Sequence, residues 1–145
     1  MPQRFPVLAG LGAMLFAAAP VHAGMTELKA GHGGHFFTTA EINGAAIRVM
    51  VDTGATAVAL SYEDAADAGL RPQHLDFTLP VSTANGTVEA ARVQIDRIVI
   101  DGISAEDVDG MVLPQGALSG TLLGMSFLSR LASFKVEDGM LYLRD

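Results

Sequence analysis

The chain has 145 residues, 50% of them hydrophobic and 17% charged, with a formal net charge of −7 and no cysteine. That is the length of one domain with enough apolar side chains to build a core, which sets aside disorder and a disulfide-held scaffold as starting points. The missing cysteines exclude thiol catalysis, cysteine-ligated zinc and iron–sulfur clusters, and 16 acidic against 9 basic residues with no basic run leave nothing to neutralise phosphates, so nucleic acid is not an expected partner.

Arg4 is the only charged residue among the first 23, and residues 7–19 form an apolar run that ends before Pro20 and Val21-His22-Ala23. This is the layout of a secretory signal peptide. Thirteen helical residues reach about 20 Å, short of a ~30 Å hydrocarbon core, so cleavage after Ala23 is the expected outcome and an uncleaved anchor the alternative. The protein is therefore expected in the periplasm, or else anchored in the inner membrane facing it; membrane contact is expected only if residues 1–23 are retained.

Residues 24–34 read as a flexible lead-in. His32 and His35 lie in Gly-His-Gly-Gly-His, but glycine flanks and the lack of further ligands nearby favour a mobile segment over a metal site. From residue 35 the chain alternates strands and turns. Residues 35–42 and 45–51 flank Asn43-Gly44, the strongest two-residue hairpin signal. Residues 55–60 resume the apolar pattern, Ser61 can cap a helix over 62–68, and Gly69 ends it.

A second hairpin is expected from 77–84 and 87–95 about Asn85-Gly86, and a third about Asp101-Gly102 after a strand break near Asp96. Residues 108–113 form another strand stopped by Pro114, 125–132 a short helix, and 134–136 with 140–143 a last hairpin about Asp138-Gly139. The expected fold is all-β and closed or sandwiched, in a single domain over 35–145.

Most acids read as solvated: Glu63, Asp64 and Asp67 on the helix, Asp96 and Asp101 at a break and a turn. Asp52 does not. It sits between Ile47-Arg48-Val49-Met50-Val51 and the apolar stretch after Thr53-Gly54, where a carboxylate has to be heavily hydrogen-bonded or protonated. An Asx-turn in a strand-to-strand loop would also account for it.

Asp52-Thr53-Gly54 is joined by the hairpin tip Thr83-Ala84-Asn85-Gly86-Thr87 and by Leu122-Leu123-Gly124-Met125. In that order, over residues 34–144, these motifs resemble the retropepsin-like aspartic proteases, especially their bacterial single-domain branch. The resemblance implies a single-lobe closed β-barrel with a flap hairpin and one or two short helices, acting as a homodimer. It implies that Asp52 is catalytic, that Thr53 braces the two loops across the dimer, and that Gly54 completes the motif. It further implies that Ala55, Thr56, Ala84, Asn85, Gly86 and Thr87 meet a polypeptide substrate, and that Leu122, Leu123 and Gly124 support the catalytic loop.

One Asp-Thr-Gly per chain suits a symmetric pair. Two aspartates sharing a proton supply both acid and base to one water, with no covalent intermediate, metal or cofactor. Subsites are expected from the flap, residues 56–58 and the 113–118 loop. Ala55 stands where pepsin-like enzymes commonly have a hydroxyl donor to the carboxylate, so a mildly acidic optimum is expected. Thr56 and Met125 replace an Asp and an Arg that pair at the retroviral dimer interface, so dimerisation is expected to rest on terminal strands such as 140–144.

No Gly-x-Ser-x-Gly elbow supports a serine hydrolase, Met111, Met125 and Met140 read as core fillers, and the glycine-rich stretches lack a nucleotide-binding context. The alternative to an exported aspartic endopeptidase is a non-catalytic relative using the same fold for dimerisation or peptide binding.

Overall fold

The structure is a computed structural model that describes residues 24–145; the signal segment expected over 1–23 lies outside the described residues. Ten strands and two short helices follow one another along the chain: β1 (Met25–Lys29), β2 (Phe36–Ile42), β3 (Ala45–Val51), β4 (Val58–Leu60), α1 (Tyr62–Asp67), β5 (Leu79–Thr83), β6 (Gly86–Ile100), β7 (Ile103–Val112), β8 (Thr121–Leu123), α2 (Met125–Leu128), β9 (Ser133–Glu137) and β10 (Met140–Arg144). Among the described residues, no helix is long and apolar enough to cross a membrane.

Hydrogen bonding runs β2-β3-β8-β4-β7-β6-β5, and the pairing of Glu41 and Ile42 with Val99 and Ile98 joins β6 back to β2. Six strands thus close into a barrel, and β5 hangs from β6 as the free arm of a hairpin. Closure removes the unpaired edges that an open sheet would expose. The alternating strands send Ile42, Val49, Ile95, Ile98, Ile100 and Ile103 inward, where Leu123, Phe127 and Leu128 meet them. Each fully buried side chain of this size contributes about 1.5–3 kcal/mol.

β8 lies between β3 and β4, parallel to the first and antiparallel to the second. Residues 52–57, which connect β3 to β4, must therefore cross the end of β8. That crossing positions the site.

Short-range signals translate directly. Asn43-Gly44 and Asp138-Gly139 form two-residue turns with positive φ at all four positions, and the Ser61 hydroxyl accepts the Asp64 amide at 3.1 Å to cap α1. The second helix is shorter than the expected 125–132 and ends at Leu128.

The expected break at Asp96 is no break, because β6 runs unbroken over fifteen residues. Its inward positions nevertheless change parity, from Ile95 to Ile98, while β7 changes opposite them from Ala105 to Val108 beside Asp107 with φ of 55°. The polar residues mark a twist of a continuous ribbon.

The stretch expected as a flexible lead-in contains a strand. β1 pairs with β10, which pairs on its other side with β9, forming a second, three-stranded sheet. Thr26 and Leu28 are the buried residues of this strand; Leu28 joins the core with Leu141 and Leu143, and the Thr26 hydroxyl donates to Asp101 at 2.5 Å. The protein's folded unit therefore begins before residue 35. Both edges of β10 are bonded within the chain, so association through residues 140–144 would have to use their side chains and not a free strand edge.

Candidate active site

Asp52 follows the last residue of β3 and its amide donates to the Leu123 carbonyl of β8 at 3.1 Å. The half-buried side chain accepts the Gly54 amide on Oδ1 at 2.9 Å. This is the Asx-turn geometry, and it fixes the direction of the carboxylate. The Ala55 amide closes back on the Asp52 carbonyl at 3.2 Å, and the Ala55 carbonyl accepts the Met125 amide at 2.8 Å.

Gly124 is required here. A Cβ on it would come within 2.7 Å of the Ala55 carbonyl oxygen and would also strike Ala57, so only a bare α-carbon lets the loop cross β8. Leu123 is fully buried beneath it. Beneath the loop, the Leu123 carbonyl and the Met125 amide each make one backbone hydrogen bond to it and Gly124 lets it pass close, while Leu122 lines the adjoining cavity.

A cavity of about 520 Å³ lies between this loop and the hairpin of β5 and β6. Asp52, Gly54, Ala55, Thr56 and Ala57 form one wall, Val81 to Ala84 the other, and Ala59, Met111, Leu113, Leu118 and Leu122 the floor and end. The expected substrate residues Ala55, Thr56 and Ala84 thus meet at one cleft, as does the 113–118 loop through Leu113 and Leu118.

Thr53, Asn85, Gly86 and Thr87 do not line it. Thr53 is exposed. The hairpin turn itself is displaced by one residue from the expected Asn85-Gly86: Thr83 pairs with Gly86, leaving Ala84-Asn85 as the turn. That register sets Val81 opposite Val88 and Leu79 opposite Ala90, keeping apolar side chains together on one face, and the face outweighs the turn signal. The Thr83 hydroxyl holds the turn, donating to the Gly86 carbonyl at 2.7 Å and accepting the Asn85 amide at 3.1 Å.

Sequence reasoning missed two contributors. Ser126 accepts the Val58 amide at 2.9 Å and donates to the Asp109 carbonyl at 2.6 Å, tying the outgoing end of the loop to β7. Thr121 accepts the Ser61 amide at 3.3 Å and donates to Asp64 at 2.7 Å, so Asp64 is a half-buried acceptor rather than a solvated helix acid. No local pattern announces either, since each partner lies on an element distant in the chain.

The family described as "gag-polyprotein putative aspartyl protease" matches residues 38–130, which hold the loop, the hairpin and the β8 turn. The chain belongs to the retropepsin-like aspartic protease family. It is 46% identical over 112 residues to an uncharacterized protein encoded in the cobV 5' region of Sinorhizobium sp., covering 77% of this chain and 48% of that one. It is 39% identical over 110 residues to the uncharacterized protein RP867 of Rickettsia prowazekii, covering 76% and 47% respectively. The chain spans about half the length of these two relatives.

Among solved structures, a retropepsin-like aspartic protease from Rickettsia conorii superposes with a TM-score of 0.77 at 35% identity, covering 85% of this chain and 92% of that chain. The barrel, the hairpin over the cleft and the short helices are thus those of a retropepsin-like protease.

Proposed function

We propose that this chain is an exported aspartic endopeptidase, acting as a homodimer in which two copies of Asp52 activate one water. The observation that carries it is the Asp52 carboxylate, oriented by the Gly54 amide at the wall of a peptide-sized cleft under a hairpin, in a member of this family. Among the described residues Asp52 is the only acid lining that cleft. Hydrolysis by carboxylates needs a second, so a second copy must bring it, related by a two-fold axis.

The pair holds a single proton between two adjacent like charges. The ionised member takes a proton from the bound water as its oxygen bonds to the scissile carbonyl carbon, while the protonated member gives its proton to the carbonyl oxygen. The resulting gem-diol collapses as the amide nitrogen is protonated and the C–N bond breaks, and the dyad returns to its starting state. Activity is expected at mildly acidic pH.

The exposure of Thr53 on one copy supports its meeting its counterpart in the pair. Among the described residues β1 and β9 have open edges that would serve association, but Thr56 and Met125 supply no ion pair, so the dimer is expected to be weak. The signal-like residues 1–23 support export to the periplasm.

The test is cleavage mapping by mass spectrometry. Wild type and Asp52→Asn are incubated with a diverse peptide mixture from about pH 4 to 7 at several protein concentrations. Cuts made only by wild type, with a specific rate that rises with concentration, establish the dimeric peptidase. No cuts from a chain that sediments as a folded dimer would assign the fold to peptide binding instead.

A further inference from the structure

A second cavity, of about 410 Å³, opens beside the cleft and shares Leu118 and Leu122 with it. The apolar floor continues from one to the other. Met111 pairs with Ala59, Ala59 with Leu122, Leu122 with Met50 and Met50 with Phe37, a ribbon of side chains crossing five strands.

At the far end of that ribbon stands a cation. The Arg48 guanidinium carbon lies 5.1 Å from the centroid of the Phe37 ring, and Arg48 is exposed. The one ion pair among the described residues is Lys135 with Glu137, so the guanidinium has no carboxylate partner there. Asp64 also lines the cavity, but its carboxylate takes the Thr121 hydroxyl. Stacking uses the face of the guanidinium and leaves its N–H edge to donate.

We propose that this cavity extends the substrate cleft and that Arg48 selects peptides carrying a Glu or Asp side chain several residues from the scissile bond. The inference rests on the peptidase reading of the neighbouring cleft. Arg48 and Asp52 are four positions apart, roughly 13 Å along an extended strand, so the selected carboxylate has to lie several residues from the cut and not beside it. The guanidinium edge offers that carboxylate a paired, charge-assisted hydrogen bond, while the methylene groups of the residue lie on Met50 and Leu122. In a chain of net charge −7 the overall field repels acidic peptides, so a preference for one at a defined position has to come from a local group.

The subsite is read by binding, independently of catalysis. Fluorescently labelled peptides with an apolar centre and a single Glu, walked along both flanks, are titrated with the full chain carrying Asp52→Asn at concentrations where it self-associates; Gln replaces Glu in the controls. The expected result is a peak of roughly tenfold tighter binding for Glu over Gln at one flanking position, about 1.4 kcal/mol, abolished by adding Arg48→Gln and partly kept by Arg48→Lys. The same Glu-to-Gln ratio in kcat/KM is expected to fall towards one when Arg48→Gln is placed in the active chain.

Equal binding of Glu and Gln at every position, no binding by any peptide, or a preference that survives Arg48→Gln would overturn the subsite. Cleavage by wild type with no such preference removes the subsite and leaves the peptidase standing. A Glu preference in a chain that cuts nothing keeps the subsite and removes the peptidase.

Discussion

The two walls of the cleft are built on opposite principles. The loop of residues 52–57 is fastened to what lies beneath it by the Asp52 and Met125 amides, the Ser126 hydroxyl and the close pass of Gly124. The hairpin of β5 and the first half of β6 is bonded chiefly to itself, with Ser82, Ala84, Asn85, Gly86 and Thr87 all exposed. One wall is over-determined and the other is held by few contacts, a combination that suits the proposed peptidase, in which a fixed carboxylate lies under a cover that lifts to admit a polypeptide. Amide exchange measures the difference directly: the Asp52, Ala55 and Met125 amides are expected to outlast those of Ala84 to Thr87.

Substitutions sharpen this contrast in descending order. Asp52→Asn keeps the oxygen that accepts the Gly54 amide but removes the proton-accepting group, so peptide cleavage is expected to fall on the order of a thousandfold or more with the thermal midpoint unchanged. Gly124→Ala drives a methyl group into backbone that cannot turn aside, and is expected to cost about 3 kcal/mol in denaturant titration and to speed exchange at Ala55 and Met125. Ser126→Ala leaves the Val58 amide and the Asp109 carbonyl without their partner, a loss of about 1–2 kcal/mol by the same titration. Gly86→Ala, at a φ of 111°, is expected to cost about 1 kcal/mol of stability and to act mainly on the hairpin, raising KM by more than it lowers the midpoint. A Gly86→Ala chain as destabilised as Gly124→Ala would erase the distinction between the walls.

What the amino-acid order discloses here is short in range. Asp52 stood out because a carboxylate interrupts an apolar run, and the turns because Asn-Gly and Asp-Gly favour positive φ. The insertion of β8 between β3 and β4 is set by contacts about seventy residues apart and leaves no periodic trace, so nothing local marks the roles of Ser126 and Thr121. β1 was hidden for a related reason: Met25-Thr26-Glu27-Leu28-Lys29 is a brief alternation ringed by glycines, and it becomes a strand only because β10 offers an edge. At the hairpin, local and longer-range preferences competed, and alignment of Val81 with Val88 moved the turn by one residue.

The pairing of β1 with β10 also sets an order of assembly. Met25 lies opposite Arg144, across almost the whole described chain, and closing so long a loop costs entropy that no local turn offsets. The barrel hairpins and the hairpin of β9 and β10 can form as soon as their own residues are available, whereas β1 can join β10 only when residues more than a hundred positions apart have met. In pulse-labelled refolding, protection of the β1 amides is therefore expected to trail that of β6 and β7, and the three-stranded sheet on which copies would associate is completed only in that final phase.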